Sequence, residues 1–509
     1  PIGGLPMGGR ALPGLAVALL GLAACTVGPD YQRPDAPVPA AYKEAWKPAP
    51  AEKGWRETRP ADAIDRGAWW SIFRDPVLDG LERQIDISNQ NLKSADAAFR
   101  QAEAVVAGAR AQFFPTAAID ASATRSRSSG NGGPTSFGGG RISNRFQLDA
   151  TASWVPDLWG SVRRTVEGDV ASAQASAGLL ASARLSAQAQ LAAAYLQIRT
   201  ADELARLLEA SVKAFAQNLQ IVRNQFRAGT ADHSAVDQAQ AQLESTRAQL
   251  VAVGVTRAQL EHAIAVLIGK PPAALTIPPT EATIAVPVIP AGLPSALIER
   301  RPDIATAERR MQAANAQIGV AVAAFYPNVT LTADYGVAAS MLRRLLTTSS
   351  RLWSFGSTAA ETIFDGGAHN AQVEQQRAAY DGNVADYRQT VLAAFQQVED
   401  ALASQRILAE QAKAQDAALA AARSAERTIN NQYLAGTQAY TAVIVAQTTA
   451  LNDAVQVVNL RQSRLAATVA LIEALGGGWD ASRLPSRDKI ESDAPLNFNP
   501  LPPKIEPNT

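Results

Sequence analysis

Cys25 is the residue whose type and position best suit covalent chemistry, because it ends an apolar leader. Residues 11–24 (ALPGLAVALLGLAA) follow Arg10 and are too short to span a bilayer, which is typical of a signal peptide over residues 1–24. Leu22-Ala23-Ala24-Cys25 fits a lipoprotein cleavage site, where the thiol takes a diacylglycerol thioether and the new amino group an acyl chain. The alternative is an ordinary secretory signal with an incidental cysteine. No other cysteine occurs in the 509 residues, so no disulfide or thiolate metal site is expected.

The other reactive side chains form no recognisable catalytic pattern. The histidines, His233, His262 and His369, lie far apart and in no ligand spacing such as HExxH, so we expect them at the surface or at helix ends. Residues 268–271 (IGKP) lack the glycine-rich loop of a phosphate site, and no GxSxG occurs. The 47 basic and 47 acidic side chains balance, with no basic tail for nucleic acid. We therefore expect neither an enzyme nor a nucleic-acid-binding protein, no metal, and no cofactor beyond the lipid on Cys25.

Alternating segments predict four strands. Residues 328–337 place Val, Leu, Ala, Tyr and Val on one face and Asn, Thr, Thr, Asp and Gly on the other, as in a strand with lipid outside and water inside. Residues 146–154 alternate in the same way, 116–124 more weakly, and 352–364 least regularly. A glycine- and serine-rich loop, 125–141, separates the first two strands and is typical of an outward-facing loop. A soluble sandwich edge is the alternative.

Four strands cannot close a barrel in a membrane. The smallest closed forms use about eight strands, and an open edge in lipid leaves backbone polar groups unpaired. We find no apolar stretch of about 18 residues past residue 25, so any crossing of a membrane falls to the strands. Several chains must then share one barrel, and three chains would supply twelve strands, enough to enclose a water-filled bore.

Long helices account for most of the rest. Residues 161–227 and 368–434 are rich in Ala, Gln, Leu and Arg and contain scarcely a Pro or Gly. A run of this length reaches about 100 Å at 1.5 Å per residue. Shorter segments, about 85–112, 234–268, 295–324 and 438–475, are candidate antiparallel partners. A coiled-coil rod is the alternative, but a rod would not need the alternating segments.

The chain repeats itself after about 210 residues. Ala111-Gln112-Phe113-Phe114-Pro115 recurs as Ala323-Ala324-Phe325-Tyr326-Pro327, and Asn224-Gln225-Phe226-Arg227-Ala228-Gly229-Thr230 recurs as Asn431-Gln432-Tyr433-Leu434-Ala435-Gly436-Thr437. Proline-rich stretches flank the halves and favour extended backbone. The predicted organisation is a signal peptide (1–24), a lipid-anchored tether (25–65), a first repeat (66–270, strands about 113–125 and 143–156), a linker (271–294), a second repeat (295–478, strands about 326–338 and 352–364) and a tail (479–509).

Several motifs in fixed order carry a family resemblance. They are Cys25-Thr26-Val27-Gly28-Pro29-Asp30-Tyr31, Trp69-Trp70-Ser71-Ile72-Phe73-Arg74-Asp75-Pro76-Val77-Leu78, Arg301-Pro302-Asp303-Ile304, Glu308-Arg309, Ala314-Asn315-Ala316-Gln317-Ile318-Gly319-Val320-Ala321, Phe325-Tyr326-Pro327 and Ile363-Phe364-Asp365-Gly366-Gly367. Over nearly its whole length the chain resembles the lipoprotein (OprM/NodT-like) branch of the TolC-like outer-membrane factors of tripartite efflux pumps. The resemblance implies an α+β membrane protein: a homotrimer with a twelve-stranded β-barrel, four strands per chain, continued by a helical coiled-coil tunnel across the periplasm. Thr26 after the cysteine is consistent with outer-membrane sorting in such lipoproteins.

The resemblance also implies partners and contact sites. In that family the turns of two long hairpins meet a periplasmic adaptor, or membrane fusion, protein, and an inner-membrane pump, here of the RND type, supplies the energy. By similarity the adaptor-contact residues are Arg227, Gly229, Thr230, Gly436 and Thr437. Each glycine can adopt the positive φ of a tight reversal, although a plain helix C-cap would need the same residue.

The candidate periplasmic gate departs from the family pattern. Members often carry an Asp one helical step past the second turn, whereas this chain has Val445 there, after Thr441. A carboxylate ring attracts cations at a narrow pore, while three valines would seal by apolar contact and favour no ion. Asp232 and Asp237 at the first turn could supply charge instead, although solvated helix ends are the expected role for them.

The resemblance predicts a passive duct that exports drugs and other toxic small molecules. Two alternatives stay open. One is the outer-membrane duct of a type I protein secretion system, and the other is a periplasmic structural lipoprotein without a pore, against which the strand alternation argues.

Overall fold

The computed structural model describes residues 26–44, 67–127, 142–287, 289 and 294–499. Its α-helices are α1 (Pro76–Ser88), α2 (Gln90–Ala111), α3 (Ser161–Arg227), α4 (His233–Leu267), α5 (Pro294–Arg300), α6 (Pro302–Ala323), α7 (Ala368–Leu434), α8 (Tyr440–Ala474) and α9 (Arg487–Asp493). Its strands are β1 (Thr116–Arg127), β2 (Ile142–Trp154), β3 (Asn328–Ala339) and β4 (Arg351–Ala360). The predicted four strands and long helices are therefore confirmed. The signal peptide, Cys25 and most of the loop 125–141 lie outside the described residues.

The duplication is visible in the element lengths. Helices α3 and α7 are both 67 residues long, and their hairpin partners α4 and α8 are both 35 residues long. In each half a 22-residue helix, α2 or α6, precedes the strand pair. The two halves therefore present hairpins of the same reach, about 100 Å along α3 and α7.

Local sequence explains where the helices begin. Asp75 caps α1, since its carboxylate accepts hydrogen bonds from the backbone N–H of Val77 at 2.9 Å and of Leu78 at 3.3 Å, and Pro76 occupies the first turn. Asn89 caps α2 through the N–H of Leu92 at 3.0 Å. These caps satisfy backbone donors that the helix itself leaves free.

The sheet is antiparallel in the order β1-β2-β3-β4, so the two halves meet along the β2–β3 pairing. The register sets Ala150 opposite Tyr335, and Tyr335 opposite Trp353, on one face. Side chains of this face are strongly exposed within the chain: Ile119 and Phe355 are 79% exposed and Trp353 is 70% exposed. The other face carries mostly polar residues, among them Gln147, Asp149, Thr151, Ser153, Thr330, Thr332 and Asp334. We name the two the apolar face and the polar face.

The fourth strand is shorter than the predicted range 352–364, because β4 ends at Ala360. Asp365 redirects the chain after it by accepting from the backbone N–H of Gly367 at 2.8 Å and of His369 at 2.7 Å, which begins α7. These two hydrogen bonds hold the pKa of Asp365 below its ordinary value. Ile363 and Phe364, included in the predicted strand, are 87% and 88% exposed between β4 and α7.

The core is a series of small clusters along the helices. One cluster joins α3, α4 and α8 through Phe215, Leu243 and Leu451, and a larger one surrounds Trp69. Small residues let the axes approach closely. A Cβ at Gly178 of α3 would overlap the Thr306 hydroxyl of α6. No single globular centre is needed, since each stretch of helix packs only on its neighbours.

One helix corrects the expectation that no apolar stretch of membrane-spanning length follows residue 25. Within the described residues, α4 contains an 18-residue window with a mean hydropathy of 1.3, long and apolar enough by length and composition to cross a membrane. This window is hard to recognise in the sequence because two charged residues, Arg257 and Glu261, interrupt its apolar side chains. Arg257 is paired with Asp202 of α3 at 2.8 Å and with Glu261 at 2.8 Å. The pair with Asp202 joins α4 to α3 in a helical hairpin, while the pair with Glu261 lies within α4.

Candidate channel gate and adaptor contact

The two predicted hairpin turns have the same geometry. Gly229 and Gly436 have φ values of 73° and 76°. The N–H of Gly229 donates to Phe226 O and that of Thr230 to Gln225 O, both at 2.9 Å. In the second turn the N–H groups of Gly436 and Thr437 make the corresponding bonds to Tyr433 O and Gln432 O, also at 2.9 Å. This pair of backbone hydrogen bonds is the Schellman motif, which uses a residue with positive φ to end a helix. The predicted turn residues therefore lie at exposed helix C-termini, and Arg227 is the last residue of α3.

The tips of the two hairpins are joined to each other. The Tyr433 hydroxyl of α7 donates to the side-chain carbonyl of Gln225 in α3. Each tip also has an aromatic contact across its own turn: Phe226 lies 5.4 Å from His233, and Tyr433 lies 5.4 Å from Tyr440, between ring centroids. The link from Tyr433 to Gln225 is one that sequence reasoning missed, because nothing in either repeat shows which residues meet across the halves.

Thr441 and Val445 lie on the exposed side of the first two turns of α8. Val445 is 66% exposed within the chain, whereas its neighbours Val443 and Ala446 are buried. The exposed positions that continue this side are all uncharged: Thr441, Val445, Thr449, Asn452, Gln456, Asn459 and Ser463. We name this surface the neutral stripe. The sequence predicted Thr441 and Val445 as gate residues of this helix, and the structure extends their neutral character along six helical turns.

The two aspartates proposed as substitutes occupy the start of α4. Asp232 precedes the helix without a side-chain capping bond. Asp237 accepts from, or pairs with, the His233 ring at 2.9 Å, and both side chains are more than two-thirds exposed. Both aspartates are therefore at a solvated helix end within the chain, on the other hairpin from Val445.

A second functional region is the segment 26–44, which we name the strap. It begins beside the sheet, where the N–H of Val27 donates to Trp159 O at 3.2 Å. Arg164, with its side chain 5% exposed, donates to Val27 O at 3.2 Å and Gly28 O at 3.3 Å and pairs with Asp30 at 2.8 Å. A Cβ at Gly28 would overlap the backbone of Gly319 in α6, so glycine is required at this close approach.

The strap then follows α6 and α7 away from the sheet. Asn315 donates to Pro29 O at 3.0 Å, and Arg388 donates to Asp35 O at 3.3 Å. At its far end Glu399 accepts from the N–H of Lys43 at 2.7 Å and of Glu44 at 2.9 Å. Sequence reasoning predicted an extended tether here but not its partners, since Arg164 and Glu399 look like ordinary helix-surface charges.

A buried tyrosine secures the far end of the strap. Tyr42 is 4% exposed and lies 6.4 Å from Phe395 of α7 between ring centroids. Burial raises the pKa of Tyr42 to about 12, so the phenol is neutral at physiological pH. The strap thus runs from the sheet to the middle of α7 as a packed part of the fold.

Two helical hairpins of equal length are joined to a sheet of four strands that has one apolar face. A family model described as outer membrane efflux protein matches residues 82–270 and 293–477, which together span most of the chain. The chain belongs to the outer membrane efflux protein family. The two matches also confirm the internal duplication, one match falling in each half.

Two characterised relatives and one solved structure show how far the likeness extends. The chain is 31% identical over 474 residues to the antibiotic efflux pump outer membrane protein ArpC of Pseudomonas putida, covering 92% of this chain and 96% of that protein. The same identity and coverage hold for the toluene efflux pump outer membrane protein TtgC of Pseudomonas putida. The solved outer-membrane channel OprN superposes with a TM-score of 0.79 at 28% identity, covering 89% of this chain and all of that one.

These findings confirm the predicted family, fold class and general role. The protein is an outer-membrane efflux channel with the TolC-like fold, in a family of channels and not of enzymes. Its location is the outer membrane, and it acts as one component of an efflux pump.

Proposed function

We propose that three copies of this chain form one closed barrel of twelve strands in the outer membrane. The observation that carries this proposal is the open sheet: β1 and β4 each have a neighbour on one side only within the described chain. In lipid the unpaired edge of a strand would leave several donors and acceptors unsatisfied. Pairing β4 of one protomer with β1 of the next removes both edges, places the apolar face against lipid and encloses the polar face.

The helical hairpins continue the bore into the periplasm. Their tips carry Arg227, Gly229, Thr230, Gly436 and Thr437, which are exposed and free to contact a periplasmic adaptor. The chain supplies no energy source, so transport depends on an inner-membrane pump reached through that adaptor, and an RND-type pump fits the branch that the chain resembles. The neutral stripe with Val445 lines the narrow end of the tunnel.

The strap supports lipid attachment at Cys25. Its first described residue, Thr26, contacts Gly160 at the junction of β2 and α3, next to the sheet. Acyl chains on the preceding residue would therefore enter the membrane beside the barrel, with no further chain needed to reach it. Two or three acyl chains give stable anchoring, where one would be marginal.

The exported cargo is drugs and other toxic small molecules. The printed functions of ArpC and TtgC, antibiotic and toluene efflux, support this cargo class. A wide duct has little selectivity of its own, so the pump chooses the compounds.

The test is accumulation of a panel of dyes and antibiotics in a strain lacking the gene, with the gene restored as wild type or as Val445→Cys. The expected result is that deletion raises accumulation and that wild type reverses it.

A second experiment tests the place of Val445 in the pore. Val445→Cys has one thiol beyond the lipidated Cys25, so a bulky maleimide applied to the purified, reconstituted channel should lower its conductance. Val251→Cys, at an α4 position 72% exposed within the chain, is the matched control and should conduct normally after labelling.

Two outcomes would overturn parts of the proposal. Unchanged accumulation together with loss of a secreted protein from the medium would favour a type I secretion duct. If the Cys25→Ser variant still incorporates labelled palmitate, lipid attachment at Cys25 is refuted, while the channel proposal stands.

A further inference from the structure

Both strand hairpins carry positive charge at their turn ends. Between Asp120 and Asp149 the sequence has four arginines and no acidic residue, and between Asp334 and Glu361 it has three arginines and no acidic residue. Neither stretch contains a lysine. In a chain with 47 basic and 47 acidic side chains, this is a strong local asymmetry.

The strand register divides these arginines between the two faces. Arg125 and Arg127 continue the alternate positions of Ile119 on β1, and Arg351 is two residues before Trp353 on β4, so all three belong to the apolar face. Arg145 is two residues before Gln147 and four before Asp149 on β2, so it lies on the polar face with them. The outer set therefore lies directly beyond the apolar band, toward the turns.

The outer arginines have no partner among the residues that the structure describes. Among the residues that the structure describes, Arg125, Arg127 and Arg351 make no ion pair or side-chain hydrogen bond, and all three are exposed. Arg343 and Arg344, in the turn between β3 and β4, are also exposed and without a carboxylate partner there. By contrast Arg145 donates to Gln147 at 2.7 Å.

We propose that Arg125, Arg127 and Arg351 bind phosphate groups of anionic lipid in the outer leaflet of the outer membrane. A guanidinium presents a planar fork of donors that matches phosphate bidentately, which a lysine cannot do. The aromatic side chains below, Trp353 and Phe355, would lie along the acyl chains, with the cations at headgroup level. This proposal rests on the barrel proposed above, which brings Arg351 of one protomer beside Arg125 and Arg127 of the next.

The test compares lipid binding by the purified full chain. Fluorescent lipid A, which is phosphorylated, and its dephosphorylated form are titrated against wild type, the triple variant R125Q/R127Q/R351Q and the control R145Q. Wild type should prefer the phosphorylated lipid. Each arginine near an anionic bilayer surface contributes about a fivefold factor, so the triple variant should bind phosphorylated lipid about a hundredfold more weakly. R145Q should match wild type, because its side chain belongs to the polar face.

A charge-preserving variant keeps the test decisive if the triple glutamine variant fails to fold. R125K/R127K/R351K should retain attraction to the phosphorylated lipid and lose only the advantage of the bidentate fork. Equal binding of both lipids by wild type, or loss of binding in R145Q equal to that in the outer variant, would overturn the proposal. Conductance of wild type in a planar bilayer separates the two proposals: a channel that conducts but does not distinguish the lipids refutes only the lipid site.

Discussion

The Tyr433 hydroxyl in α7 donates a hydrogen bond to the Gln225 side chain in α3, which joins the tips of the two helical hairpins. The two residues are 208 positions apart and occupy corresponding regions of the two repeats. Because it is partly exposed, the bond is expected to be worth about 1 kcal/mol, weak enough to break when the tip opens.

Tyr433→Phe should therefore favour an open tip. The change keeps the ring, which packs 5.4 Å from Tyr440, and removes only the hydroxyl. We expect the basal conductance of the reconstituted channel to rise, since the arrangement with joined tips loses about 1 kcal/mol, or roughly a fivefold shift in the equilibrium toward separated tips. Tyr440→Phe is the control, because the Tyr440 hydroxyl makes no hydrogen bond within the described part of the chain. Equal conductance of the two variants would contradict a closing role for the bond.

Val445→Asp should make the channel prefer cations. Three copies would place three carboxylates on the neutral stripe, and a ring of like charge concentrates counter-ions in a narrow pore. The measurement is the reversal potential across a salt gradient. Val251→Asp introduces the same charge on the exposed side of α4 and should leave the potential near that of wild type. An unchanged potential in Val445→Asp would remove α8 from the pore lining.

Gly229→Ala and Gly436→Ala should each weaken the hairpin tips. Both glycines have positive φ and open space around them, so the cost is backbone strain, about 1 kcal/mol per site. Gly254→Ala, in α4 with nothing near its Cβ position, should instead stabilise by about 1 kcal/mol because its helical backbone suits alanine. Thermal unfolding of the three variants checks the opposite signs, and binding to the adaptor should fall only for the two turn variants.

Glu82→Gln should make stability less dependent on pH. Glu82 in α1 is fully buried, both carboxylate oxygens lack partners in the described chain, and burial together with the nearby Asp86 and Asp79 raises its pKa to about 9. The folded state then holds a proton that the unfolded state releases above its ordinary pKa of about 4.3, so wild-type stability should fall as pH rises from about 5 to 9.

The glutamine variant cannot ionise and should lack that decline. At pH 8 it should be more stable than wild type by on the order of 3 kcal/mol, with little difference at pH 4.5. Unfolding midpoints at the two pH values are the measurement. Asp86, which pairs with Arg184 at 2.8 Å, remains in both proteins and provides the same background. Parallel pH curves for the two proteins would show that Glu82 is ionised in the folded state.

The sequence was most informative where a pattern is periodic. The alternation of residues 328–337 predicted β3 and its two faces, since period-two patterning follows directly from strand geometry. The paired Gly229 and Gly436 predicted two equivalent turns. The end of β4 was predicted four residues late, because Ile363 and Phe364 are apolar whether or not they belong to a strand, and only the capping bonds of Asp365 reveal the boundary.

Contacts between distant segments could not be predicted. Arg164 holds the strap through backbone carbonyls of Val27 and Gly28, and carbonyls have no sequence signature. Tyr433 and Gln225 meet only because the halves fold side by side. The burial of Glu82 was likewise hidden, since an acidic residue in a helix normally faces water.

The matched hairpins, 67 and 35 residues in both halves, have a consequence for how such a chain can change over generations. An insertion in one arm alone would set the two turns at unequal depths and separate Tyr433 from Gln225. A shorter or longer duct therefore demands coordinated edits at four positions in the gene, two per half. The length of the duct is thereby specified twice in one polypeptide, and a change in one half is compatible with the fold only when the other half matches it.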